Sequence, residues 1–261
     1  MKSVIIIFVT LYIGAIAYVY FTQDSHVFEP QSIEKKAPVD LENVEHISFK
    51  IEDGVTLDGV YRKSSTPNAP LIVYYGGNAD DATRIVLHVK ELKGFDIVAF
   101  NYRGYVNSTG KPSQDAVFSD ALRIFDKYGK DREVIVIGRS LGTGVATYVA
   151  SKRDAKGLIL ITPYDSIVSI AKKMYPYFPI EMLSKHKFES VKYMLNVEEQ
   201  VCLIEVENDG TIPKYHFDKL REVVPHEALH VVLSNTTHKD VLTHPDFEKT
   251  LEKMIKIFYV N

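Results

Sequence analysis

The sequence has a single cysteine, Cys202, among its 261 residues. One thiol excludes an intrachain disulfide framework and any zinc site built on paired Cys/His spacing. A domain of this length does not need disulfides, so their absence leaves the compartment open. Lysine and arginine form no run, and the formal net charge is only −3. A nucleic-acid partner is therefore not expected, because phosphate binding draws on clustered positive charge. No internal repeat and no low-complexity tract interrupts the chain. What remains is an ordinary globular composition, 46% hydrophobic and 25% charged, able to bury a sizeable core.

The amino terminus departs from that composition. Residues 4–21 run without a charge, close to the roughly 20 residues that cross a bilayer as a helix. Lys2 precedes the run and Asp24 follows it, which under the positive-inside tendency keeps the terminus cytoplasmic and translocates the rest. A cleaved signal peptide is the rival reading, with Ala15-Ile16-Ala17 as its small-x-small site. The organisation expected is an anchor or signal segment over 1–22, a polar linker over 23–43 containing Pro30 and Pro38, and a folded domain over 44–261.

In that domain, alternating stretches flank Glu52-Asp53-Gly54, a hairpin signal. Short apolar runs at 71–75, 96–100, 133–137, 157–161, 202–206 and 229–233 then read as strands covered on both faces. Helical spacing occupies 81–92, 114–127, 141–152, 215–223 and 245–258. Alternating strands and helices predict an α/β fold with a mostly parallel central sheet and helices on both faces. Residues 165–200 hold no strand pattern and read as a short helical lid inserted after the sixth core strand.

The chemistry centres on Gly138-Arg139-Ser140-Leu141-Gly142, set between a buried strand and a helix. A serine at the tip of a sharp strand-to-helix turn needs small neighbours two residues either side, which leaves its hydroxyl exposed at the carboxyl edge of the sheet. The plain alternative is a glycine-rich helix start with Ser140 as a cap. A serine hydroxyl is a poor nucleophile at neutral pH and needs a base oriented by an acid. In chain order the acid comes next, and the loop after 202–206 offers Asp209, with Glu207 as runner-up. An Asp-Gly pair is also a turn former whatever its chemistry. The base is expected just beyond the last core strand, where Thr236-Thr237-His238 stands. None of His88, His186, His216 and His244 combines a post-strand loop with that chain order. For the tetrahedral oxyanion the expected donors are the backbone N–H groups of Leu141 and Asn78, with Gly77 as the fallback.

Several segments resemble the serine-aminopeptidase-like or abhydrolase-domain members of the α/β-hydrolase superfamily, many of which carry an N-terminal anchor. Gly76-Gly77-Asn78-Ala79 is similar to their His-Gly-Asn-Ala loop. Asn101-Tyr102-Arg103-Gly104-Tyr105 with Ser108-Thr109-Gly110-Lys111-Pro112-Ser113 resembles a second segment, and Thr162-Pro163-Tyr164-Asp165-Ser166 the start of the lid. Asp209-Gly210-Thr211-Ile212-Pro213 and His238-Lys239-Asp240 resemble the acid and base loops. Gly76, Asn101, Val106 and Glu205-Val206 depart from the residues usual at those places, and none of these removes a triad candidate.

The expected activity is hydrolysis of an ester or thioester through an acyl-enzyme on Ser140, with Tyr175, Tyr177 and Phe178 of the lid as an acyl-binding wall. No metal or organic cofactor is implied. A peptidase or amidase using the same machinery, or a non-catalytic binding module on the same fold, are the alternatives. The expected partners are a small ester, thioester or acylated substrate and a membrane reached through the N-terminal segment. Asn235-Thr236-Thr237 is a glycosylation sequon beside His238, so a bacterial envelope location fits better than a glycosylating pathway, with secretion after signal cleavage as the alternative.

Overall fold

A computed structural model describes every residue except 35, 52, 53 and 261. The Glu52-Asp53 part of the expected hairpin turn lies outside the described residues. The chain opens with helix α1 (Lys2–Val27), followed by strands β1 (Val44–Lys50), β2 (Thr56–Arg62) and β3 (Leu71–Tyr75). A short α2 (Ile85–His88), β4 (Asp96–Phe100), α3 (Gln114–Tyr128), β5 (Val134–Arg139), α4 (Leu141–Ala150) and β6 (Gly157–Ile161) continue it. Helices α5 (Ile167–Met174), α6 (Ile180–Leu183) and α7 (Ser190–Met194) fill the interval that the sequence left without strands. The chain ends with β7 (Val201–Asn208), α8 (Lys214–Arg221), β8 (Glu227–Thr237) and α9 (Phe247–Ile257).

The eight strands form one sheet in the order β1-β2-β4-β3-β5-β6-β7-β8. The β1–β2 and β2–β4 pairs are antiparallel, and every pair from β4 to β8 is parallel. This is the α/β architecture that the alternation predicts. Strands β3 to β6 are buried along their whole length, because helices cover both faces. One face carries Val73, Val98, Val136 and Leu203 beneath α3 and α4. The other carries Ile72, Ile97, Ile135 and Ile159 against α9 and α2.

Three departures from the sequence reading have physical causes. The helix expected over 81–92 is reduced to a single 3-10 turn and α2. Arg62 donates to the carbonyls of Val89 and Leu92, and the Glu248 carboxylate accepts the N–H groups of Glu91 and Leu92. Those backbone groups are thus satisfied outside a helix. The stretch read as a polar linker is partly ordered: α1 continues to Val27, and Phe28 and Val39 are buried in the two halves of the core. Finally, β8 continues through Ser234-Asn235-Thr236-Thr237, which lack an apolar pattern. As the edge strand it needs only backbone pairing with β7 there.

Candidate active site

Strand β5 feeds directly into α4 through Ser140, whose φ of +51 and ψ of −121 lie outside the regions side chains ordinarily favour. Such a conformation costs about 1–3 kcal/mol and persists only where its surroundings enforce it. A Cβ on Gly142 would sit 2.1 Å from the Tyr75 carbonyl oxygen, and one on Gly138 would sit 2.3 Å from the Gly142 oxygen. The two glycines therefore let α4 close on β3 and hold the turn tight. The Ser140 N–H donates to the Ile161 carbonyl at 3.0 Å, fastening the turn to β6.

His238 is the first residue beyond β8, and its register explains how it meets Asp209. Val206 pairs with Leu233 but Asn208 pairs with Thr237, so β8 carries an irregularity at which Asn235 adopts φ +55. The slip brings Thr237 beside Asn208, and hence His238 beside Asp209. With the tautomer that suits both contacts, Ser140 Oγ donates to His238 Nε2 at 2.8 Å and His238 Nδ1 donates to Asp209 Oδ2 at 2.9 Å. The other carboxylate oxygen of Asp209 accepts the N–H groups of Thr211 and Ile212 at 3.0 and 2.7 Å. Asp209 is thus a turn residue and a partner of His238 at once. Ser140 and His238 are both buried.

The loop after β3 lies beside the serine, since a Cβ on Gly77 would be 3.4 Å from that of Ser140. The Gly77 N–H donates to Asp80 Oδ2 at 2.8 Å, so it is already engaged. Asn78 is left as the loop's candidate donor. It is held through its carbonyl, which accepts from Glu29 N–H at 3.0 Å and Tyr105 OH at 2.8 Å. Leu141 opens α4 immediately after Ser140, where a helix leaves its first N–H groups without intrahelical partners.

Two residues that the sequence reading gave no role tie these parts together. The Arg139 guanidinium is buried, pairs with Asp80 and donates through Nη2 to the His238 carbonyl at 2.9 Å. Burial alone would lower its pKa, but the charge and hydrogen bond of Asp80, together with Tyr74 and Asp209, outweigh that and hold it above the usual arginine value. One ion pair therefore links the serine turn, the Gly77 loop and the His238 loop. No sequence signal marks this pair, because its partners lie far apart in the chain.

A cleft of about 740 Å³ opens over Ser140 and His238, lined also by Glu29, Ile33, Arg84 and Lys239. The segment after α1 thus supplies part of its wall. Tyr175, Tyr177 and Phe178, expected to form that wall, are not among the lining residues. Phe178 instead stacks on Tyr12 of α1 at 5.8 Å and meets Tyr175 edge-on at 6.3 Å, while Tyr177 projects outward. The expectation fails because Phe178 packs on the N-terminal helix, Tyr175 packs on Phe178, and the Tyr177 ring faces outward.

Three of the other histidines weighed from the sequence are engaged elsewhere. His216 Nδ1 lies 2.8 Å from Asp165, His186 Nε2 lies 2.9 Å from Asp24, and His244 Nε2 lies 3.2 Å from the Ser234 carbonyl. His88 lines the cleft, and its burial, with the Arg139 and Arg84 charges, lowers its pKa from the usual histidine value.

Residues 75–188 match the family model described as alpha/beta hydrolase fold. An uncharacterised protein of Mycobacterium tuberculosis strain H37Rv is 25% identical over 205 residues, covering 74% of this chain and 72% of that protein. The rat lysophosphatidylserine lipase ABHD12 is 30% identical over 190 residues, covering 62% of this chain and 47% of the lipase, so the match spans about half its length. Among solved structures, the Pyrococcus furiosus esterase Pf2001 superposes with a TM-score of 0.63 at 18% identity, over 86% of this chain and 96% of that one. Est1E from Butyrivibrio proteoclasticus with ferulic acid bound gives a TM-score of 0.65 at 17% identity, over 82% and 97%. At such identities the two structures attest the fold alone. Sheet topology, family model and solved structures agree, and the chain has the α/β-hydrolase fold.

Proposed function

We propose that the chain is a serine hydrolase acting on carboxylic esters or thioesters. The observation that carries this reading is the hydrogen-bonded series Ser140–His238–Asp209 at the floor of an open cleft. Ser140 Oγ attacks the carbonyl carbon as its proton passes to His238 Nε2, and Asp209 stabilises the imidazolium that forms. The Leu141 and Asn78 N–H groups receive the oxyanion. His238 then gives the proton to the departing alcohol or thiol, leaving an acyl group on Ser140. Water, deprotonated by His238, attacks that acyl group; the acid departs and Ser140 regains its proton.

A relative named as a lipase favours an ester over an amide.

Helix α1 is long and apolar enough to cross a membrane, with a mean hydropathy of 2.4 over its best window. We read it as an uncleaved anchor that holds the catalytic domain at a bacterial envelope membrane. A fluorophosphonate probe tests the chemistry directly. The wild-type protein is expected to label and Ser140→Ala is not; equal labelling of the two overturns the assignment.

A further inference from the structure

Helix α1 does not stand apart from the insert between β6 and β7. Near its carboxyl end, Gln23 Nε2 donates to the Leu183 carbonyl at 3.1 Å, and the Lys185 N–H donates to Gln23 Oε1 at 2.7 Å. Asp24 meets His186 at 2.9 Å. Further toward the amino terminus, Tyr12 OH donates to the Tyr177 carbonyl at 2.7 Å and its ring stacks on Phe178. The insert therefore runs alongside α1 from its polar end to the middle of its apolar stretch.

That contact fixes depth once α1 crosses a bilayer. The apolar run ends at Phe21, and Tyr12 lies nine residues further in, about 14 Å along the axis before any tilt. The hydrocarbon core is about 30 Å thick, so a segment touching Tyr12 lies within the acyl chains of one leaflet. The side chains at that end of the insert suit such a place. Tyr177 is 84% exposed, Met182 86% and Met174 64%. Across 174–183 the one acidic residue is Glu181, and it is paired with Lys172 at 2.5 Å. Lys172, Lys173, Lys185 and Lys187 flank the apolar tip, at the level where cations meet lipid headgroups. Lys185 Nζ lies 4.4 Å over the ring of Tyr20, one helical turn from the polar end of α1.

We propose that the tip of the insert, from Met174 to Met182, is embedded in the lipid bilayer beside α1. The anchor and tip then form one membrane-held unit, and the cleft wall at Glu29 and Ile33 is drawn to the lipid surface. This rests on the reading of α1 as an anchor, and the test separates the two.

The full-length protein, reconstituted in phosphatidylcholine vesicles, carries an environment-sensitive fluorophore at Tyr177→Cys, Phe8→Cys or Ser65→Cys. Native Cys202 does not compete for label, being buried with its thiol pushed up to about 12. Acyl-brominated lipid is expected to remove most emission at positions 177 and 8 and none at 65, which lies before β3 at the opposite end of the parallel strands. Quenching at 8 without quenching at 177 overturns the insertion while the anchor stands. Loss of quenching at both overturns the anchor and the insertion with it. Thermal unfolding of the three labelled proteins at the wild-type temperature shows that each reports on the native fold.

Discussion

Replacing Asp80 with Asn keeps the shape of the loop beside Ser140 and removes one charge. Asp80 Oδ2 accepts the Gly77 N–H at 2.8 Å and pairs with Arg139, whose side chain is only 7% exposed against 23% for Asp80. Stranding a buried charge by removing its partner costs about 3–5 kcal/mol. Two features reduce this: Asp80 is partly hydrated, and Arg139 keeps the His238 and Lys239 carbonyls at 2.9 and 3.4 Å. The net destabilisation is expected near 2 kcal/mol, read from urea unfolding at unchanged m. The kinetic effect is separate. The neutral amide oxygen holds the Gly77 N–H more weakly than the carboxylate does, so the Gly77-Asn78 loop can shift by a fraction of an ångström, and such misplacement costs up to about 100-fold. Aryl-ester turnover is expected to fall by about 10- to 100-fold in kcat with little change in KM, the signature of a contact made in the transition state. The double variant Asp80→Asn with Arg139→Met removes the stranded charge, so stability should recover while rate does not. Wild-type stability together with a kcat within about twofold of wild type in Asp80→Asn would refute the reasoning.

Asp209→Asn preserves the turn at Thr211 and Ile212 but disfavours the tautomer that His238 needs. Its kcat on an aryl ester should fall by roughly 10⁴-fold with the fold intact by circular dichroism. Gly142→Ala drives a methyl group toward the Tyr75 carbonyl, 2.1 Å from where its Cβ would stand. A cost of about 2–3 kcal/mol in denaturant unfolding is expected, with activity lost as Leu141 is pushed away. Asp96 accepts from Tyr61, from Ser64 N–H at 2.7 Å and from Arg132 at 2.7 Å. Burial would raise its carboxyl, but these three partners outweigh it and hold the pKa below the ordinary value of 3.8. Its stabilisation is therefore present above that value and is lost as pH falls through the depressed one. Asp96→Asn should cost about 2–3 kcal/mol at neutral pH, and its deficit should shrink in acid melts below pH 3.8.

Much of the sheet was legible because a strand covered on both faces must be apolar throughout. The runs at 71–75, 96–100 and 157–161 are the observed strands residue for residue. The serine turn was legible for a related reason: Gly138 and Gly142 record a close approach that no other side chain permits. Features made by distant partners were not legible. Nothing in the spacing of 81–92 shows that Arg62 and Glu248 will claim the backbone there. Nor do the aromatic residues at 175–178 reveal whether they face a substrate or Tyr12, because both environments select the same side chains. The polar end of β8 was hidden because an edge strand is held by its backbone. That end matters, since the slip at Asn235 is what aligns His238 with Asp209.

The buried Phe28 and the bond from Glu29 N–H to the Asn78 carbonyl set a boundary for preparing a soluble form of this protein. A protein trimmed to begin at β1 would keep the whole sheet and all of Ser140, Asp209 and His238. It would nonetheless lose an aromatic plug from the core, one side of the cleft and a strut under the Gly77-Asn78 loop beside Ser140. Trimming ahead of Phe28 removes the apolar helix and spares all three. A form that begins at β1 should therefore fold yet turn over poorly, and mistaking that for a weak enzyme would be an error of trimming.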